Sequence, residues 1–229
     1  MNKFTIRVIT PLTRVKNLSS MKESIEANRG NFNWGWRIYV DAEWSPRLSS
    51  DIRKVVGGTS LSPLLDWVSV WYAPSPRKGY GGYQRTTAIG DLKFDRDSSW
   101  MISTDLSEAE ADDPWLYFLD DDNVLPYQFA DMLMREFRQL ENRPADTQFP
   151  KMIIGSRKMP NGTIVPPNGP RVNHVDTGQL IVKLSAIPNK LVWGPEYDAD
   201  GRFYEAVAKA IPGLIHETPD IVFNYNALA

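Results

Sequence analysis

The chain has no cysteine, which excludes disulfides and thiolate metal sites. Histidine is scarce too, at two residues in 229. No apolar run approaches the ~20 residues needed to span a bilayer, and the opening Met1-Asn2-Lys3-Phe4-Thr5-Ile6-Arg7 lacks the apolar core of a signal peptide. The expectation is a soluble, cytoplasmic protein with no transmembrane segment. An excess of one charge is missing as well. A formal net charge of −2 supplies no global basic field for nucleic acid, so an anionic ligand must be held by local groups. No internal repeat or low-complexity tract occurs. A chain of this length can bury one substantial core, as one large domain or two closely fused halves.

What is present is an apolar run that stops on three consecutive carboxylates: Trp115-Leu116-Tyr117-Phe118-Leu119-Asp120-Asp121-Asp122. A buried strand cannot hold three unpaired acids, so they belong beyond its carboxyl end, facing water, a cation or a ligand. Ligands of open α/β sheets bind at that edge. The rest of the pattern agrees with an α/β reading. Phe4 to Thr10 reads as a first strand broken by Pro11. Leu18, Met21 and Ile25 give helical spacing, with Ser20 and Glu23 as a capping box and Asn28 to Gly30 as the stop. Arg37 to Val40, ending on Asp41, reads as a second strand and Trp67 to Tyr72 as a third, which makes the acid-tipped run the fourth. Strands alternating with helices predict a mostly parallel, doubly wound sheet.

Beyond it, Phe129, Met132, Leu133, Phe137 and Leu140 form a helical stripe. Met152 to Gly155 and Thr163 to Val165 flank Pro160-Asn161-Gly162 and predict a hairpin. Gln179 to Lys183 reads as a short strand, and Phe203, Ala206, Val207 and Ala210 as a late helix. The acid-rich run from Asp105 to Asp113 reads as a solvated surface segment. Ser75 to Gly82, with Arg77, Lys78 and three glycines, has the composition of a phosphate-facing loop but matches no P-loop.

Oxygen-only donors suit hard cations, and the alternate carboxylates Asp120 and Asp122 could share one Mn²⁺ or Mg²⁺ ion. The plainer reading is that the acids favour the start of the next helix, but three in a row exceed what capping needs.

Thr10-Pro11 with Arg14, Asn17, Met21 and Ser24-Ile25 after the first strand, and Phe118-Leu119-Asp120-Asp121-Asp122 after the fourth, together resemble the nucleotide-sugar glycosyltransferases of the GT-A fold, family-2-like, whose hallmark is an Asp-x-Asp motif. His174-Val175-Asp176-Thr177-Gly178-Gln179 and Asp198-Ala199-Asp200-Gly201-Arg202-Phe203-Tyr204 resemble the acceptor-side strand and helix start of such enzymes. The likeness covers most of the chain. It implies a Rossmann-like, mostly parallel sheet flanked by helices with a smaller mixed half. It also implies one domain over residues 1–229, nucleotide-binding over 1–125 and acceptor-binding over 126–229.

The resemblance further implies that Thr10, Pro11 and Arg14 line the nucleotide pocket and that Asp41 meets the base, although a strand-end acid explains Asp41 equally well. Arg85, with Ala88 and Gly90, matches a segment that approaches the diphosphate, but Thr86 stands where that family commonly has Asn. Asp120 and Asp122 are the candidate metal acids, and Asp121 is a candidate for ribose or sugar. His216 would be a third metal ligand if it follows the C-terminal histidine of some related transferases, or else a surface or hydrogen-bonded residue. His174 and Asp176 fall on the acceptor or sugar side, and Trp193 could stack on a sugar face beside Tyr197 and Tyr204.

Transfer needs a stabilised leaving group and a base for the acceptor hydroxyl. Asp200 is the first candidate base, with Asp198 and Glu196 as alternatives. Asp200 could instead be an N-cap acid. The expected activity is metal-dependent, inverting transfer from a uridine-diphosphate-linked sugar to a glycan or other hydroxyl acceptor. Two rivals remain: a catalytically silent carbohydrate-binding or scaffolding module, and a sugar nucleotidyltransferase. Against the second, Thr10-Pro11-Leu12-Thr13-Arg14 contains no glycine, where such enzymes carry a glycine-rich loop.

Overall fold

The computed structural model describes residues 4–29, 32–42, 45–57, 67–72, 81–97, 113–144 and 148–228. Residues 75–80 of the predicted glycine-rich loop and 105–112 of the acid-rich run lie outside them. Eight strands form one sheet in the order β3-β2-β1-β4-β7-β5-β6, with β8 on the other edge of β5. The parallel half consists of β1 (Thr5–Leu12), β2 (Asn33–Val40), β3 (Val68–Tyr72) and β4 (Trp115–Phe118). β7 (Leu180–Lys183) runs antiparallel between β4 and β5 (Met152–Lys158). The predicted hairpin is present, as β5 paired antiparallel with β6 (Ile164–Val165). β8 (Ile215–Asn224) pairs parallel with β5.

Both faces of the sheet are covered, which explains why β4 reads as an unbroken apolar run. On one face Ile6, Val8, Trp36, Ile38, Trp115 and Tyr117 pack under α1 (Leu18–Glu26), α2 (Pro46–Val56) and α4 (Phe129–Glu141). On the other, Ile9, Tyr39, Leu116, Phe118 and Ile154 pack under α3 (Gly82–Asp97) and α5 (Ala199–Ala210). All five residues of the predicted stripe in α4 are buried.

Two local expectations are corrected. β1 runs through Pro11 to Leu12 rather than breaking at the proline. Ile9 O accepts from Leu119 N while Leu12 O accepts from Asp41 N, so backbone alternation turns the Pro11 nitrogen toward the β4 side, where β4 has already ended. No ladder bond is lost there. The capping box at Ser20 and Glu23 is absent because α1 starts earlier, with Asn17 as its N-cap.

The stop after α1 has a second use. The buried Asn28 side chain donates to Ser24 O at 2.8 Å and Pro126 O at 2.9 Å, and its amide oxygen accepts from Ala130 N at 2.9 Å. The N-cap residue of α4, Gln128, makes no side-chain capping bond, so Asn28 satisfies a first-turn N–H of α4 across the fold. Asn28→Ala should therefore lower unfolding free energy by about 2 kcal/mol through the unpaired buried groups it leaves. Urea denaturation should show a lower midpoint with an unchanged m-value.

Candidate active site

The chain turns sharply after β4, and its three acids part company there. Asp121 points inward. One carboxylate oxygen accepts from Thr13 N at 2.5 Å, Thr13 Oγ1 at 2.8 Å and Arg14 N at 2.6 Å, and the other from Arg14 Nη1 at 3.1 Å. Its carbonyl accepts from Asn17 Nδ2 at 2.7 Å. Asp121 thus pins the loop after β1 to the turn after β4 and is absent from the cleft lining, unlike its two neighbours.

Asp120 and Asp122 line a cavity of about 170 Å³ together with Arg85, Asp176, Asp200 and Trp193, and Tyr225 and Asn226 also contribute to its wall. Arg85, in the first turn of α3, is 3% exposed and ion-paired to Asp120, with Asp200 at 3.6 Å. Burial alone would lower its pKa, but Asp120 and Asp200 raise it, so it is a fixed cation. Burial pushes the Asp120 pKa up; Arg85 opposes the shift, and Asp200 and Asp122 reinforce it. Asp122 accepts from Arg14 Nη1 at 2.8 Å, and that bond raises the Arg14 pKa.

Asp200 lies in the first turn of α5, whose N-cap is Asp198. Its oxygens accept from Trp193 Nε1 at 2.9 Å and from the Thr177 hydroxyl. Asp176 caps the short 3-10 turn at Thr177–Gln179 and sits 3.5 Å from Arg157 Nη1. Its pKa is pushed up to about 7, by burial first and then by Asp120 and Asp200. A second cavity of about 360 Å³ adjoins the first, sharing Asp176, Asp200, Tyr197 and Tyr225 and adding Asp198 and Arg157.

The other residues singled out in the sequence fall in varied places. Glu196 is on the rim of the first cavity. Asp198 is paired with Arg202, whose bond lowers its pKa. Trp193 is 4% exposed, with Phe203 stacked at 4.0 Å and the Arg85 guanidinium 4.9 Å from its ring centroid. Its ring is therefore covered and its indole N–H orients Asp200, while the exposed ring at the rim is Tyr197. Thr10 is fully buried and accepts from Trp36 Nε1 at 3.0 Å. Pro11 is buried against Gly81, and Asp41 is half-buried at the end of β2. His174 is exposed beside Asn168. His216 is three strands away from β4 across the sheet, with Nε2 2.6 Å from Glu136 and Nδ1 3.3 Å from Arg143. It does not join the acids. Among the described residues no group of three or more acid, histidine or cysteine side chains is set to hold a metal by itself, and no helix is long and apolar enough to cross a membrane.

Sequence reasoning missed Thr177, Arg157, Tyr225 and Asn226. The Thr177-Gly178 step beside Asp176 carried a weak signal. The C-terminal pair carried none, because its placement depends on Asn226 N donating to Asn123 Oδ1 at 2.7 Å and Leu228 N donating to Asp122 O at 2.9 Å.

No family model matches the chain, and no curated protein matches it in sequence. Solved structures do match in fold. S. aureus TarS aligns with a TM-score of 0.63 at 13% identity over 96% of this chain and 36% of that one. A shorter TarS form in complex with UDP-GlcNAc aligns at 0.61 and 13%, over 97% of this chain and 58% of its own. The mannosyltransferase PcManGT from Pyrobaculum calidifontis, in complex with GDP-Man and Mn²⁺, aligns at 0.60 and 10%, over 97% and 56%. The chain spans less than two thirds of the length of these structures. It has a GT-A-like α/β fold, with a mostly parallel central sheet flanked by helices.

Two outcomes test the geometry of the acids. Asp121→Ala should cost about 3 kcal/mol, because it strips acceptors from two backbone N–H groups and a guanidinium, whereas Asp122→Ala should stay within about 1 kcal/mol of the parent. Equal losses in chemical denaturation would contradict this division. For Asp176 the folded pKa lies above the ordinary 3.8, so its stabilising contribution is present below the unfolded pKa and lost as pH rises through about 7. Asp176→Asn should remove that loss, and the Tm difference between variant and parent should grow across this window; a flat difference would refute the assignment.

Proposed function

We propose that the chain is a divalent-metal-dependent glycosyltransferase that moves a sugar from a nucleoside diphosphate sugar, with uridine diphosphate as leaving group, to an acceptor hydroxyl with inversion. The observation that carries this reading is the cleft beyond β4, where Asp120, Asp122, Asp176 and Asp200 line one cavity with the buried Arg85, which pairs with Asp120 and Asp200. The edge beyond the strand ends of such a sheet is where ligands bind. The fold likeness to TarS with UDP-GlcNAc and to a mannosyltransferase with GDP-Man and Mn²⁺ supports the donor class. In this reading residues 1–125 serve the nucleotide and 126–229 the acceptor, within one domain.

Asp120 and Asp122 occupy alternate positions and line one cavity with oxygen donors alone. These two carboxylates would hold the ion, and oxygen ligands of this kind suit a hard cation such as Mn²⁺ or Mg²⁺. A bound ion would supply neutralisation of the charge that builds on the departing diphosphate. The protein's own groups carry the remaining work. Arg85, held by Asp120 and Asp200, adds a positive charge that needs no reorganisation. Arg14, 44% exposed in its side chain, can swing from Asp122 to a phosphate with its forked donors. Asp41, which follows β2 and donates its N–H to Leu12 O, accepts a base N–H on its carboxylate.

Asp200 takes the acceptor proton on a carboxylate oxygen. Trp193 Nε1 fixes the plane of that carboxylate, and the Thr177 hydroxyl can rotate aside to admit the acceptor. In-line attack from this side inverts the anomeric centre. Asp176, whose pKa lies nearer neutrality at about 7, is the competing base, ahead of Asp198, which Arg202 engages. One observation favours a catalytically silent module instead: Arg85 already engages both Asp120 and Asp200, as an inert structural centre would.

Release of nucleoside diphosphate from a panel of nucleotide sugars, with and without Mn²⁺, separates the two readings. The enzyme reading expects Mn²⁺-dependent turnover, lost in Asp122→Ala and reduced by about a hundredfold or more in Asp200→Asn with nucleotide affinity retained. A silent module releases nothing. Near-normal turnover in Asp200→Asn together with loss in Asp176→Asn would move the base to Asp176.

A further inference from the structure

The cleft divides into two spaces with different walls. Asp120, Asp122 and Arg85 line the cavity of about 170 Å³ alone, whereas Arg157, Met159 and Asn173 line only the adjoining one of about 360 Å³. Asp176, Asp200, Tyr197 and Tyr225 line both. A diphosphate held by the metal acids therefore leaves the larger space open, and Asp200 stands on the boundary where an acceptor in that space would meet the donor sugar.

Most charges along the larger space are already engaged. Asp198 is paired with Arg202 at 2.8 Å, and Asp200 accepts from Trp193 Nε1 at 2.9 Å with Arg85 at 3.6 Å. Arg157 is different. Its guanidinium makes one hydrogen bond among the described residues, from Nη1 to Asp176 Oδ2 at 3.5 Å, the outer limit for such a bond. Its buried Nε has no partner among those residues, and none of them accepts from Nη2. An arginine fork ordinarily engages an oxyanion through two N–H donors at once, so this one is underused. The Tyr225 ring, with its centroid 5.4 Å from the guanidinium carbon, holds the fork in place.

We propose that the acceptor is a sugar bearing an oxyanion, a carboxylate or phosphate group, and that Arg157 binds this group in the larger cavity; the proposal rests on the sugar-transfer reading above. Forked donors match either anion in pairs, which a neutral hydroxyl cannot exploit. The ring of Tyr197, a residue 84% exposed at the junction of the two spaces, offers an apolar face to the sugar.

Titration calorimetry of the full chain without divalent metal, at constant ionic strength, provides the test, with glucose, glucuronate and glucose 6-phosphate as probes. At least one charged hexose should bind about tenfold tighter than glucose or better, and the tighter of the two identifies the anionic group. Arg157→Gln should erase that preference, and Arg157→Lys, which keeps the charge, should restore part of it. Asn173→Asp adds a carboxylate to the same wall without altering Arg157, on a left-handed backbone, φ 63°, that aspartate tolerates as asparagine does. It should also reduce the preference, and it keeps the test decisive if Tm shows that Arg157→Gln does not fold. Equal affinities for the three hexoses in the parent, no binding of any of them, or a preference that survives in the variants would overturn the assignment. Release of nucleoside diphosphate with Mn²⁺, measured on the same protein, reports on the transferase reading separately. Release without a charge preference refutes the anionic acceptor alone, and a charge preference without release refutes the acceptor role.

Discussion

One buried carboxylate sets the geometry of the cleft. β1 and β4 are adjacent parallel strands, and where they end their chains leave in different directions with backbone N–H groups unpaired. Asp121 closes that gap by accepting from Thr13 N, Thr13 Oγ1 and Arg14 N. Burying a carboxylate is expensive, and the expense is offset here because hydrogen bonds to a charged acceptor are stronger than neutral ones. The consequence reaches its neighbours. With the middle acid locked inward, Asp120 and Asp122 line the cavity that Asp121 does not. Asn17 Nδ2 bonded to the Asp121 carbonyl, and Leu228 N bonded to that of Asp122, hold the same turn from two other directions.

The charges follow from that placement. Two carboxylates about 5 Å apart repel by roughly 3 kcal/mol at an effective dielectric of about 20, so a cleft of bare acids would not stay assembled. Each acid has an arginine: Arg85 for Asp120 and Asp200, Arg14 for Asp122, Arg157 for Asp176 and Arg202 for Asp198. The pairing is uneven. Arg157 reaches Asp176 only at 3.5 Å, and burial outweighs it, which is why that carboxyl is pushed up to about 7. A proton and a cation therefore compete for the same corner of the molecule.

Much of the fold was legible in the sequence because its signals are local: the apolar run of β4, the stripe of α4, the Asn161-Gly162 turn between β5 and β6. β8 was not read. Its Ile215–Asn224 segment is interrupted by Pro219, and its pairing with β5 slips register around Ser156, so no clean alternation survives. At the site, motif and chemistry led to Asp120, Asp122, Arg85 and Asp200, which the fold brings together. They could not tell Asp121 the scaffold from Asp120 the wall, since direction past a strand end depends on which loop offers donors. Trp193 was legible as an aromatic near the acids but not as a covered one. Phe203 lies one turn into α5, and only the docking of that helix places it against the indole.

The same docking explains why Arg85 and Asp200, on different helices, meet at all. α3 begins at Gly82, and a Cβ there would sit 2.3 Å from the carbonyl oxygen of Gly194. The backbones of α3 and of the loop before α5 therefore touch at a point where no side chain fits. Thr86 strengthens the contact by accepting from Trp193 N at 2.8 Å, four residues from Gly82 and beside Arg85. The loop that delivers the Trp193 indole to Asp200 is thus fastened to the helix turn that delivers the guanidinium. Thr86 departs from the asparagine common in the resembling family, and its hydroxyl has a definite use in this chain. It fixes the distance between the buried cation and the acid that cation must balance. A movement of α5 relative to α3 would disturb Arg85, Trp193 and Asp200 together, so their arrangement is a property of how the two helices pack and not of any one of the three residues.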